Sequence, residues 1–196
     1  QAGGGHQWLT VAGGSREYVR AMLAGFRGEV RLACPVERVC RGVETVLVKP
    51  RGQDAERFDH VIFACHADQA LGLLAQPTDV ERDVLGAFSF QPNDVVLHTD
   101  TALMPRLRRT WASWNYHLDD EQSDGASVTY WMNRLQAIDG PTQYFVTLNR
   151  TEAIRPDRVL GRFTYTHPFF TPAATAAQAR HADVIDHHGA SYCGAY

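Results

Sequence analysis

The sequence predicts an α+β fold, and three observations carry that expectation. An amphipathic stretch follows Gly13-Gly14-Ser15, with Tyr18, Val19, Met22, Leu23 and Phe26 at helical spacing on one face. A nearly continuous apolar run, FDHVIFAC over 58–65, suits a strand covered on both faces, as in a parallel sheet. Beyond Gln91, short β-prone runs alternate with polar, Pro- or Gly-bearing loops, the pattern of a mostly antiparallel sheet.

Taken in order, Ser15 can cap a helix over 16–26 with its hydroxyl, and Gly28 marks the stop. Residues 30–32 read as a short strand. Alternation over 36–41 and 44–49, with Gly42 in the turn, reads as a hairpin, and 51–55 is a polar turn. A helix is expected over 67–74, and Asp79 is placed to cap another over 80–88. The later strands are expected at 95–99, 111–116, 127–133 and 144–148, with 162–166 adding one more; 118–125 and 139–142 are loops. Pro172 suits the first turn of a helix over 171–181, and 184–185 and 192–193 close the chain as short strands. The change of texture over 76–92 sets the expected division: one unit over 1–75, rejoined by 190–196, and a second over 76–189.

The 196 residues suit one large domain or two small ones, and 44% hydrophobic residues are enough for a core. A formal net charge of -3 without any block of like charges gives no electrostatic case for nucleic acid or anionic membrane. No apolar run approaches the roughly 20 residues that span a bilayer. Cys34, Cys40, Cys65 and Cys193 form no C-x-x-C pair and are expected to be reduced thiols, largely buried, in a cytoplasmic protein. His167, His181, His187 and His188 lack zinc-ligand spacing, and the adjacent His187 and His188 are expected to point to different sides, so no metal is expected. Neither a G-x-S-x-G elbow nor a P-loop occurs, and no catalytic residue is assigned.

Several phrases recur in a specific order: WLTVAGGS at 8–15, WASWNY at 111–116, YWMNRLQ at 130–136, VTLN at 146–149, YTHP at 165–168 and CGAY at 193–196. Together they resemble the flavin-containing amine oxidases, and within them the bacterial NAD/FAD-binding amine oxidoreductases encoded beside cyclopropane-fatty-acid synthases. The resemblance covers essentially the whole chain. It implies an FAD-dependent oxidoreductase that oxidises a C–H bond, typically next to nitrogen, by hydride transfer to flavin. It also implies part of an FAD-binding α/β unit with a β-meander, joined to a substrate-type domain. The family's chemistry implies an amine as substrate, and the gene neighbourhood of such relatives points to a fatty-acyl or lipid-like small molecule.

The family's G-x-G-x-x-G turn is not found here, and Gly3-Gly4-Gly5 has no preceding strand to serve in its place. The chain is therefore expected to be an internal fragment of a larger enzyme, inactive alone and holding FAD weakly or not at all. Sheet edges left open by such a cut are expected to drive dimerisation or rearrangement.

The resemblance marks Val36 as a backbone clasp for the adenine side of FAD; the alternative is an ordinary sheet residue. Gly194 and Ala195 are small enough for close backbone approach to the cofactor, or form a simple turn. Gly13-Gly14 reads as a helix-entry turn. His66 falls where the family chain leaves the sheet near the cofactor, or is a surface histidine. Alternation places Trp111, Ser113 and Asn115 on one face of a strand and Trp114 with Tyr116 on the other, and sets Tyr130 and Met132 against Trp131 and Asn133. Trp114, Trp131 and Asn133 are the substrate-pocket candidates, against the alternative of plain sheet core. A second function class stays open: a non-catalytic α+β domain that holds an apolar ligand.

Overall fold

The computed structural model describes residues 9–117 and 127–194. In chain order the elements are α1 (Ser15–Ala24), β1 (Val36–Arg41), β2 (Val46–Pro50), β3 (Glu56–Phe58), β4 (Val61–Phe63), α2 (Ala67–Leu73), α3 (Asp79–Gly86), β5 (Ser89–His98), β6 (Trp114–His117), β7 (Ser127–Trp131), α4 (Met132–Leu135), β8 (Phe145–Leu148), β9 (Val159–Phe169), α5 (Pro172–Gln178) and β10 (Ala190–Tyr192). They divide into a first unit, residues 1–28 with 92–165, and a second, residues 29–91 with 166–196. The division expected at residue 75 would put α3 and α5 with the antiparallel sheet. Here both lie in the second unit, and their side chains share a core with β1 and β2.

In the second unit, β1, β2 and β3 form an antiparallel meander with a bulge between Val36 and Arg38. The apolar run over 58–65 does not form one strand. Phe58 ends β3, and after Asp59-His60 the chain changes sheets, so that β4 pairs in parallel with β10. Residues 30–32 are not a strand either: the chain runs into a turn at Leu32-Ala33, where Ala33 takes φ 53. Thr78, rather than Asp79, caps α3, its hydroxyl accepting from the Glu81 N–H at 3.3 Å. Thr171 caps α5 through the Ala174 N–H at 3.0 Å. The expected strand at 184–185 is instead the end of a short 3-10 turn, which buries Val184 beside Ala177, Val84 and Leu85.

The first unit holds the sheet β6-β7-β8-β5-β9, whose β5–β8, β6–β7 and β7–β8 pairs are antiparallel. The strand expected from residue 111 starts later, at Trp114, because Arg108–Thr110 close a 3-10 turn first. The strand expected to reach 133 stops at Trp131, where α4 begins. The loop expected over 118–125 lies outside the described residues. α1 begins at Ser15 itself, because Gly14 at φ 88 occupies the cap position, and it ends at Gly25, ahead of Gly28. Its apolar face is open to solvent: Tyr18, Val19, Met22, Leu23 and Phe26 are all exposed. Among the described residues no helix is long and apolar enough to cross a membrane.

Candidate cofactor site

One side of the meander is closed at one end and open at the other. Val39 and Val46 are buried in the core with Ala70, Leu74 and Val84 of the α2–α3 region. Toward the other end, Val36, Val48, Pro50 and Phe58 line a hollow of about 360 Å³, walled by Glu29, Arg31 and Cys34 from the preceding loop and by Glu56 of β3.

The backbone at Val36 points away from the meander. The Arg51 N–H donates to the Pro35 carbonyl at 2.9 Å, and Val36 is opposite Pro50. In an antiparallel pair the residue next to such a bonded position turns its own N–H and C=O outward. β1 is the edge of its sheet, so these groups face the open side. Val39 has the same orientation three residues on, across the bulge, and its carbonyl accepts from the Ala75 N–H at 2.9 Å. Among the described residues, the β1 edge is thus covered at Val39 and open at Val36.

Arg31 is tied into this wall by two carboxylates. Its Nε and Nη2 donate to Glu29 at 2.7 and 2.9 Å, and its Nη1 and Nη2 donate to Glu56, the latter at 3.0 Å. These hydrogen bonds hold both carboxyls below the ordinary range, with the guanidinium charge adding to the effect.

A buried ionic knot anchors the closed end. Glu81 is fully buried, accepting from Arg41 Nη2 at 2.7 Å and also from Nη1, from the Tyr192 hydroxyl at 2.6 Å and from the Thr78 N–H at 2.8 Å. Burial pushes its carboxyl up, but the Arg41 and Tyr192 hydrogen bonds and the Thr78 N–H outweigh that and hold it at about 2. One carboxylate therefore ties β1, α3 and β10 together.

The carboxyl ends of the parallel pair β4–β10 lie in the same unit. Here Gly194 packs so closely on Cys65 that a Cβ on it would fall 1.7 Å from the Cys65 carbonyl oxygen. That contact accounts for a glycine at 194; Ala195 lies outside the described residues. His66 follows Cys65. Its ring is stacked on Phe90 at 4.3 Å, and its Nδ1 is 3.2 Å from the Thr166 hydroxyl. The cysteines are less buried than expected: Cys34, Cys40 and Cys65 are half-buried and Cys193 is exposed, because the short strands β4 and β10 end before Cys65 and Cys193. His187 and His188 do not diverge. Their rings meet edge to face at 4.4 Å, with His188 at φ 50 turning the backbone back.

In the first unit the alternation read from sequence holds within β6 and β7, while Trp111 and Ser113 precede β6 and Met132 and Asn133 lie in α4. Trp114 pairs opposite Tyr130, whereas Trp131 pairs opposite Phe145 on the other face of β7. Trp114 is 40% and Tyr116 is 71% exposed. Trp131 meets Trp111 edge to face at 5.2 Å and donates from Nε1 to Gln143 at 2.9 Å. Asn133 is buried, donating to the Ile138 and Thr142 carbonyls at 3.1 and 2.9 Å and accepting from the Tyr144 N–H at 2.7 Å. It clamps the loop between α4 and β8.

Sequence reasoning missed a polar ladder in the same sheet. The Asp100 N–H donates to His98 Nδ1 at 3.1 Å, which leaves the His98 proton on Nε2, 2.7 Å from Thr147 Oγ1. Thr147 reaches Thr129 at 2.8 Å, and Thr129 reaches His117 Nε2 at 2.8 Å. His98, Thr129 and Thr147 are fully buried. The signal for it was His98, Thr129 and Thr147, each beside apolar neighbours in its strand, but their cross-strand alignment depends on a register that no local pattern specifies.

A family model described as "Flavin containing amine oxidoreductase" matches residues 1–157, and the chain belongs to that family. Among curated proteins no match was found. Among solved structures, a CLA-producing fatty acid isomerase from P. acnes aligns with a TM-score of 0.64 at 12% identity, covering 92% of this chain and 47% of its own. Cyclohexylamine oxidase from Brevibacterium oxydans IH-35A aligns at 0.56 and 11%, covering 91% and 46%. Putrescine oxidase bound to putrescine aligns at 0.59 and 10%, covering 93% and 47%. These likenesses are of fold, and the chain spans about half the length of these structures.

Proposed function

We propose that this chain is part of an FAD-dependent oxidoreductase that oxidises a C–H bond of a small molecule, typically next to nitrogen, by hydride transfer to flavin. The observation that carries the reading is the open edge at Val36 beside the apolar hollow. An outward N–H and C=O on one residue match the acceptor and donor that adenine offers at N1 and its amino group. Val36 is the residue that holds the adenine end. Gly194 approaches the cofactor by backbone at the carboxyl ends of β4 and β10, where open α/β sheets take their ligands, and Ala195, outside the described residues, is proposed for the same role from its sequence position. When bound, FAD supplies the electron acceptor; this chain's residues grip and orient it.

The substrate is proposed to be an amine or a lipid-like molecule. Two amine oxidases and a fatty acid isomerase sharing the fold support carrying both. Trp114 belongs to an aromatic face with Tyr116 and Tyr130 that suits a substrate wall, and Trp131 and Asn133 are the other proposed pocket residues. Four free thiols support a reducing, cytoplasmic setting. The other reading, a non-catalytic domain for an apolar ligand, draws on the same exposed face of Trp114 and Tyr116.

One experiment separates the two. The full-length protein is purified and its visible spectrum recorded, then the cofactor is released by denaturation and identified. Anaerobic addition of amines and of unsaturated fatty acids follows. FAD that bleaches with one class supports the oxidoreductase; a folded, colourless protein that does not take up added FAD removes it in favour of the binding domain.

A further inference from the structure

We propose that Ser191, His60 and Asp186 form a nucleophilic triad that accepts the acyl group of a small carboxylic ester. All three lie in the second unit. His60 Nε2 is 3.0 Å from Ser191 Oγ, and His60 Nδ1 is 3.6 Å from Asp186 Oδ1. Hydroxyl, ring and carboxylate in that order activate a serine: the ring takes the hydroxyl proton, and the carboxylate steadies the charge that then forms on the ring.

Strand pairing assembles the three. The Val61 N–H donates to the Gly189 carbonyl at 2.9 Å, and β4 and β10 run on in parallel with Ser191 opposite Ile62. Ala190 and Tyr192 are buried, so alternation turns Ser191 to the other face, where Ile62 is exposed. His60 stands directly before β4. Asp186 and Ser191 flank a turn that His187 and Ala190 close by exchanging backbone hydrogen bonds at 2.9 and 3.1 Å. Asp186 takes φ 54, which an Asp tolerates, and its N–H donates to Ser191 Oγ at 3.0 Å. With that bond in place the hydroxyl proton is left to go to His60 Nε2. The ring then carries its own proton on Nδ1, the side of the Asp186 carboxylate. A serine that only held the turn would need the Asp186 N–H and nothing more.

In the proposed step Ser191 Oγ attacks the ester carbonyl carbon. His60 Nε2 takes the hydroxyl proton and passes it to the departing alcohol, leaving an acyl group on Ser191. Water then attacks that carbonyl; His60 takes a proton from the water and returns it to Ser191 as the carboxylic acid leaves. No step uses flavin. His60 also lines an open hollow with Thr45, Arg57, Phe58 and Asp59. Arg57 and Asp59 balance in charge, which suits an uncharged ester, and the exposed Ile62 and Phe58 suit a short apolar acyl group.

The test is labelling of the full-length protein with a fluorophosphonate, which bonds to activated serines, together with hydrolysis of p-nitrophenyl butyrate. The expected result is a label on Ser191 in peptide mass spectrometry, with label and hydrolysis both lost in Ser191→Ala. His60→Gln should slow both reactions about a hundredfold. Asp186 is a positioning residue and 82% exposed, so solvent screens it and Asp186→Asn should cost only about tenfold. Nitrogen NMR should find the His60 proton on Nδ1 in the native protein and in Asp186→Glu, and no longer held there in Asp186→Asn. Native protein without a label on Ser191 overturns the proposal, and that measurement needs no variant to fold. Hydrolysis that survives Ser191→Ala, or labelling that His60→Gln leaves unchanged, overturns it as well.

Discussion

Glu81 and Arg41 form a two-pronged ion pair in which the carboxylate is fully buried and the arginine side chain is only 7% exposed. The pair spans α3 and β1, and the Tyr192 hydroxyl brings β10 to the same carboxylate. Removing one partner would strand a charge in the core, the costliest kind of single change.

The stability of the second unit should therefore depend on pH through Glu81. Its carboxyl sits at about 2 in the folded chain against an ordinary value of 4.5. A group lowered on folding stabilises fully above its unfolded value and loses that contribution as pH falls through the folded one. The window is thus from about pH 4.5 down to about pH 2, for on the order of 3 kcal/mol. Urea unfolding of the native chain and of Glu81→Gln across that range measures it. The variant should be less stable near neutrality and should lack this part of the acid loss; parallel curves would refute the assignment.

The ladder across the first unit makes Thr147 its central link. Thr147→Val should cost about 1–3 kcal/mol, because His98 Nε2–H and Thr129 lose a buried partner, while Thr147→Ser should stay close to the native value. Burial holds the His98 ring below the ordinary histidine range, only partly opposed by Asp100. Acidification through that range then destabilises the fold, since the unfolded chain takes up the proton first. Nitrogen NMR of the His98 ring should show the neutral form with its proton on Nε2; a proton on Nδ1 would contradict the ladder.

Gly194→Ala should destabilise the β4–β10 pair by about 1–3 kcal/mol, since the added methyl would overlap the Cys65 carbonyl. Thermal unfolding with hydrogen exchange at Phe63 and Cys193 reads this out, as the Cys193 N–H donates to Phe63 at 2.9 Å. Unchanged protection in the variant would mean the strands can move apart at no cost.

Val36→Pro removes an N–H that the meander does not use, at the first residue of an edge strand where proline is tolerated. The variant should fold, with unchanged circular dichroism, and should bind FAD about three- to tenfold more weakly, the worth of one hydrogen bond. Val36→Ala, which keeps the N–H, should bind nearly as the native protein does. Equal affinity in the proline variant argues against the clasp.

Self-association is expected through open sheet edges. β9 is an edge strand carrying exposed Leu160, Phe163 and Tyr165, and β4 has Ile62 65% exposed. Sedimentation of this chain at rising concentration should show a dimer, weakened by Phe163→Lys. A monomer throughout would exclude it.

Much of the architecture was legible in the chain. The hairpin at Gly42, the helices near 67–74 and 171–181 and the strands at 127–131 and 145–148 follow from local alternation and turn chemistry. Two of the departures share one cause. At 58–65 a single apolar run serves two sheets, and at 30–32 the triplet Val-Arg-Leu meets no strand partner among the described residues; in both cases pairing, not pattern, decides. Asn133 needs a partner wherever it is buried, and local sequence does not say which. Its partners are backbone groups of its own loop.

By itself, the order of residues determined the α+β class, the family and the identity of Val36 as a residue to examine, because these rest on periodicity and on phrases that survive without a partner. Only the folded chain decided that Val36 turns its backbone to an open edge, that Arg31 is gripped by two carboxylates and that Glu81 is buried whole. Apart from Glu29, two positions from Arg31, those facts join residues that are 14 to 111 positions apart. Contacts at that separation are selected by what the whole core can bury and pair, which no local stretch of sequence contains.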